Sequence, residues 1–157
     1  MSDPRSLPWE TLDADVTVER VSATFACHRC GGHAGTVTLL PPGEPDPQAL
    51  RAAAAGSAPP GVETAGARSI RLSVEGPVSM THTIFAPERL APLADALRAG
   101  DGDTLVHIDR EYAPSYCYQC ATHYCRTCWE VWVEYDDGFY NCTRGRCPVG
   151  HERILDD

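Results

Sequence analysis

Cysteines in close pairs constrain this chain more than any other feature. Four of them stand in the run Cys117-x2-Cys120-x4-Cys125-x2-Cys128, followed by Cys142 and then by Cys147-Pro-Val-Gly-His151. A further pair, Cys27-His-Arg-Cys30-Gly-Gly, lies far upstream. Two thiolates separated by two residues can be presented by one turn of backbone to a single tetrahedral ion, and a second pair completes the shell.

The compartment decides between metal and disulfide. The start MSDPRSLPWE has neither the basic end nor the apolar core of a signal peptide, and no apolar run reaches the roughly 18 residues expected of a membrane span. The expectation is a cytoplasmic protein with no membrane partner, in which paired thiols stay reduced and serve as ligands. At 157 residues, the chain is long enough for a moderate core. Its formal charge is -9, and all 13 basic residues are arginine, a usage that fits a GC-rich bacterial genome. Without lysine, phosphate-loop and Schiff-base lysine chemistry are excluded. The negative charge argues against a nucleic-acid partner.

Residues 16–26 alternate through Val21, Ala23 and Phe25, and residues 35–40 return as GTVTLL, so a hairpin with CHRCGGH at its tip is predicted. Residues 41–68 are rich in Pro, Ala and Gly and read as a flexible loop with a short helix around 48–55. Ile70, Leu72 and Val74, then Val78, Met80, His82 and Ile84, form a second hairpin around Gly76-Pro77. Leu90, Leu93 and Leu97 have helical spacing with Gly100 as C-terminal cap, but Pro92 interrupts it, so the helix is expected to begin only there, after a preceding turn. DTLVHID reads as one more short strand. Residues 129–135 alternate into Asp137-Gly138, a strong two-residue hairpin turn, and FYNCT returns.

That last hairpin suggests how the ligands pair. With Asp137 and Gly138 at the turn, Asp136 faces Phe139, Val133 faces Cys142, and Cys128 falls opposite Cys147. Cys125 and Cys128 then share an ion with Cys147 and His151, while Cys27 and Cys30 join Cys117 and Cys120 in an all-thiolate site. Two other partitions stay open: one local site of Cys117, Cys120, Cys125 and Cys128 with Cys27/Cys30 joining Cys147/His151, or a cross-brace in which Cys117/Cys120 meet Cys147/His151 and Cys125/Cys128 meet the upstream pair. Cys142 falls in mid-strand and reads as a buried apolar residue.

Other residues carry less. His33 and His123 lie beside cysteine pairs, but better ligands exist. His82 shares a face with Val78, Met80 and Ile84 and reads as structural. His107-Ile-Asp109 departs from a deaminase pattern in its acid and in the cysteines that follow. Trp132, on the face of Glu130 and Glu134, could anchor a partner if that face is exposed. Arg126, Arg144, Arg146 and Arg153 stand among acidic residues and read as solvated ion pairs.

CHRCGG at 27–32 and the stretch 116–151 resemble zinc-ribbon and treble-clef domains. The resemblance implies architecture more than activity. The fold expected is α+β, a β-hairpin-rich domain with one helix and a zinc-ribbon-like C-terminal module. Residues 1–110 form the β-rich part with the N-terminal knuckle, and 111–157 form the module packed on it. The metal set is Cys27, Cys30, Cys117, Cys120, Cys125, Cys128, Cys147 and His151, holding two structural zinc ions. Filled shells leave no position for water, which argues against catalysis and for a protein-interaction or regulatory role. The alternatives are an enzyme with one open site and Glu152 or Asp109 as base, a nucleic-acid-binding ribbon, and a redox variant in which the pairs release zinc.

Overall fold

The computed structural model describes residues 17–57 and 68–157. Val16, at the start of the first predicted strand, and residues 58–67 of the Pro/Ala/Gly-rich stretch lie outside the described residues. Elements follow in the order β1 (Val21–Ala26), β2 (His33–Leu40), α1 (Pro47–Ala54), β3 (Arg71–Glu75), β4 (Met80–Thr83), α2 (Leu90–Ala99), α3 (Gly102–Ile108), β5 (Tyr116–Cys117), β6 (Thr122–His123), β7 (Glu130–Asp136), β8 (Phe139–Arg146) and β9 (Glu152–Asp156). The fold is α+β, with three antiparallel sheets among the described residues.

The first sheet is a meander in the order β1-β2-β3-β4. Alternation does what the sequence implies: Ala23, Phe25, Val37, Leu39, Leu72 and Val74 are buried, together with Leu90, Leu93 and Leu97 of α2. On the other side of β1 and β2, Ser22 bonds Thr38 at 2.9 Å and Thr24 bonds Thr36 at 3.3 Å. The strand β3 is buried from Arg71 to Val74, on both faces. Gln48 explains this, because its Nε2 donates to Ser73 Oγ, Val74 O and Met80 O at 2.9, 3.0 and 3.1 Å. Asp46 caps α1, accepting from Gln48 N at 2.9 Å, and also accepts from Ser73 Oγ at 3.2 Å and from Thr81. The short helix is thus where its sequence places it, but its start is tied to the sheet.

Pro92 does not interrupt α2. It sits in the first turn, where a backbone N–H has no partner within the helix. Gly100 closes the helix with φ 63. The predicted strand DTLVHID is instead the helix α3. Asp101 accepts from Thr104 N at 3.0 Å as N-cap, and the adjacent Leu105 and Val106 are both buried, which a strand with one buried face would not permit.

The hairpin β7–β8 turns at Asp137 (φ 47) and Gly138 (φ 84), a pair of left-handed residues as a type I′ turn requires. Its register holds at the tip, where Asp136 faces Phe139 and Tyr135 faces Tyr140. A bulge then intervenes, and Glu134, not Val133, faces Cys142. Val133 faces Thr143, Trp132 faces Arg144, and Glu130 takes the place opposite Arg146 expected of Trp129. The third strand, β9, pairs with β8 and buries Leu155 and Arg153. Among the described residues, no helix is long and apolar enough to cross a membrane.

Candidate metal centres

Each cysteine pair sits in a turn whose backbone groups point inward. At the first, Cys27 N donates to Gly32 O at 2.7 Å and Gly31 N to Cys27 O at 2.9 Å. Gly31 has φ 73, which the chain meets with the residue that tolerates it. In the last, Cys147 N donates to His151 O and Gly150 N to Cys147 O, both at 2.9 Å, with Gly150 at φ 106. Between them, Cys128 N and Trp129 N converge on Cys125 O at 2.9 and 3.0 Å. Cys117 ends β5, and Cys120 lies in the turn that joins β5 to β6.

These turns assemble into two clusters, Cys27, Cys30, Cys125 and Cys128 in one and Cys117, Cys120, Cys147 and His151 in the other. Within each, the donor atoms lie within 4.8 Å of one another. All eight predicted ligands are therefore brought together, but in the cross-braced partition and not in the one derived from the hairpin. The bulge is the reason. It sets Glu130 opposite Arg146, and Cys128 lies off the ladder in the turn closed on Cys125 O, so the register no longer places Cys128 against Cys147.

The spacing suits a tetrahedral ion. A zinc ion with four bonds to sulfur of about 2.3 Å would set the sulfurs about 3.8 Å apart, and a sulfur and an imidazole nitrogen about 3.5 Å apart. Cys27 Sγ lies 3.7 Å from Cys128 Sγ, and Cys30 Sγ 3.6 Å from Cys125 Sγ. In the second cluster, Cys120 Sγ is 3.9 Å from Cys147 Sγ, while His151 Nδ1 is 3.6, 3.2 and 3.5 Å from the sulfurs of Cys117, Cys120 and Cys147. Nδ1 is thus the histidine atom that faces the cluster. All eight cysteines of the chain are free thiols.

Electrostatics points the same way. Burial opposes ionisation of Cys27, yet the backbone amides of Cys125, Cys30 and Arg29 outweigh it and bring the thiol down to about 6. Its neighbour Cys128 is pushed up to about 12, first by the hydrogen bond with Cys125 and then by burial and by Cys27. Burial, with Cys120 and Cys147 close by, raises Cys117 to about 11. Amides favour some thiolates, and the crowding of sulfurs resists the rest. A divalent cation removes that conflict.

Between the clusters stands His123, which coordinates in neither. Its ring stacks on Phe25 at 3.9 Å between centroids, and its Nδ1 bonds Ser115 Oγ at 2.8 Å. Burial lowers its pKa to about 4. Its carbonyl accepts from His28 N at 2.9 Å, a backbone link between the first knuckle and β6. A Cβ on Gly102 would lie 2.5 Å from His123 Nε2. Gly102→Ala should therefore cost about 1–3 kcal/mol by overpacking a ring that has no room to move. A thermal melt measures this; an unchanged midpoint would show that the ring yields freely.

The remaining predicted residues fall outside the clusters. Cys142 is buried, as expected, but the bulge puts it beside Glu134, with Sγ 3.6 Å from Oε2, and not on the face of Val131 and Val133. His33 is exposed and bonds Thr36 at 2.7 Å, and His107 is exposed with Nδ1 2.7 Å from Asp103 O. His82 is partly buried, 3.8 Å from Glu111 and edge-on to Tyr112. Arg144 and Arg146 do form ion pairs, Arg146 with both Glu130 and Glu152 at 3.0 and 2.6 Å. Arg153 does not. It is buried, with its guanidinium donating to Tyr116 O at 2.6 Å, Ala113 O at 3.3 Å and Arg110 O, over the ring of Tyr118. Nothing in the local sequence distinguished it from its solvated neighbours; only the third strand, itself unforeseen, turns it inward.

No curated protein and no solved structure matches the chain. A family model described as a domain of unknown function, DUF8328, matches residues 17–157. That span takes in both clusters and every described element, and the chain belongs to the DUF8328 family.

Proposed function

We propose that this is a non-catalytic protein built around two structural zinc ions, one held by Cys27, Cys30, Cys125 and Cys128 and the other by Cys117, Cys120, Cys147 and His151. It serves as a protein-interaction or regulatory module of the cytoplasm, with residues 111–157 as a zinc-ribbon-like module packed on residues 1–110. The observation that carries the reading is that each cluster brings four donor atoms within 4.8 Å of one another. Four protein ligands fill a zinc shell and leave no position for substrate or water. The ion would neutralise the thiolates and crosslink the turns that bear them. Structural zinc contributes about 10–16 kcal/mol of apparent binding energy, comparable with the roughly 5–15 kcal/mol of a whole domain.

The surroundings of the clusters support this reading over its competitors. Glu152, the base an enzyme would need beside His151, is engaged by Arg146 through both Nε and Nη2 at 3.1 and 2.6 Å. Asp109 pairs with Arg89 at 3.4 Å and accepts from Glu111 N at 3.1 Å. Of the arginines that a nucleic-acid ribbon would use, Arg144 and Arg146 are neutralised by glutamates and Arg153 is buried.

Native mass spectrometry with elemental analysis tests the proposal. The expected result is two zinc ions per chain with no bound iron. A single ion, or a coloured iron-bearing sample, overturns the two-site reading.

A further inference from the structure

The β7–β8 hairpin has two unlike faces. On one, Arg146 pairs with Glu130 and Glu152 and lies over the ring of Trp132 at 5.5 Å, and Arg144 pairs with Glu134. That face is satisfied by its own charges, so Trp132 is not the free anchor its sequence position suggested. The other face begins in the core, where Trp129 is 4% exposed, and runs outward through Val131 at 38%, Val133 at 41% and Tyr135 at 69%. Tyr140, which pairs with Tyr135, extends it at 48%. An apolar row that leaves the core and stays exposed along one strand is unlike scattered surface residues.

The same strand offers hydrogen bonds. The order of its sheet is β7-β8-β9, so among the described residues β7 pairs on one side only. Among the described residues nothing pairs with its outer edge, whose backbone donors and acceptors can take another strand.

Charge decides what kind of strand that is. From Glu130 to Asp137 the chain carries Glu130, Glu134, Asp136 and Asp137 and no cation. Asp136 and Asp137 form no ion pair among the described residues. A second copy pairing antiparallel about Val133 would set Glu130 opposite the other copy's Asp136, and each copy has a formal charge of -9. Like charges facing each other across a ladder repel. A basic strand has the opposite relation. We infer that the β7 edge, with its Val131, Val133 and Tyr135 face, receives an extended segment of a partner protein in which apolar and basic residues alternate. The apolar residues continue the exposed row, and the basic ones meet Asp136, which forms no ion pair among the described residues, beside Glu130 and Glu134, already engaged by Arg146 and Arg144. This rests on the interaction-module reading above and names its binding surface.

The test titrates a capped synthetic peptide of alternating valine and lysine into the zinc-loaded full chain, with hydrogen exchange read at residues 130–136. Binding with protection confined to that segment is expected. The doubly substituted chain Val133→Thr, Tyr135→Ser, altered only at exposed positions, should bind about tenfold more weakly, the equivalent of two lost cross-strand contacts. N-methylation of alternate peptide amides should abolish binding, and a valine–glutamate peptide should not bind. Equal binding by the methylated or acidic peptide, an unchanged affinity in the double variant, or protection elsewhere overturns the inference. So does a dimer in sedimentation that the double variant dissociates, which assigns the edge to a second copy. Zinc is counted on the same samples. Two ions without peptide binding defeat this inference alone, whereas fewer than two defeat the metal reading.

Discussion

Replacing Cys128 by serine should lower bound zinc from two ions per chain to one and unfold the N-terminal hairpin, while Cys142→Ser keeps both ions. Cys128 belongs to the cluster whose sulfur contacts join residues 101 and 95 positions apart in sequence. Loss of one thiolate opens that shell, and an energy on the order of 10 kcal/mol is at stake, most of the stability a domain possesses. The second cluster draws all its ligands from beyond residue 116, so it can persist. Cys142 is buried with its Sγ donating to Glu134 at 3.6 Å and takes part in neither cluster, and its exchange for serine should cost about 1 kcal/mol. Double substitution settles the partition. Cys27→Ser with Cys128→Ser should lose no more zinc than either change alone, because both act on one ion. Cys27→Ser with Cys147→Ser should lose both ions. Native mass spectrometry gives the counts. If Cys128 and Cys147 behaved as one site, the hairpin-derived pairing would return and the cross-brace would be wrong.

Arg153→Ala should destabilise the zinc-loaded protein by about 3 kcal/mol or more, since it takes a charged donor from three buried carbonyls at roughly 1–3 kcal/mol each. The guanidinium is buried and satisfied by the carbonyls of Arg110, Ala113 and Tyr116, not by a carboxylate. Those carbonyls belong to the segment that delivers Cys117, and Arg153 follows His151 by two residues. One side chain therefore fixes the approach of both halves of the second cluster. Arg153→Lys should recover only part of the loss, since an ammonium cannot fork across three acceptors. Urea unfolding at fixed free zinc measures the change, with zinc affinity expected to fall at the second cluster before the first. A loss below about 1 kcal/mol would mean that water replaces the guanidinium at little cost.

Much of the fold was legible because the signals that encode it are local. Alternation marked β1 to β4, Asp137-Gly138 marked the tight turn, and Gly100 marked the end of α2. Each depends on atoms a few residues apart. DTLVHID misled because three apolar residues, Leu105, Val106 and Ile108, fit a short strand as well as a turn of helix, and the capping of Asp101 on Thr104 decided it. The strand β9 was missed because its two buried residues, Arg153 and Leu155, include a charge. No hydrophobicity pattern advertises a buried arginine.

The ligands followed the same division. That Cys27, Cys30, Cys117, Cys120, Cys125, Cys128, Cys147 and His151 stand apart from Cys142 was written in the sequence, since paired spacing and small turn residues are local geometry. Which pair meets which was not. An inserted residue in one strand turns every later side chain to the opposite face, and a bulge between Glu134 and Tyr135 did so here. Only packing of the first knuckle against β6 and the Cys125 turn then selects the cross-brace, because contacts between residues a hundred positions apart depend on burial and not on neighbours in the chain.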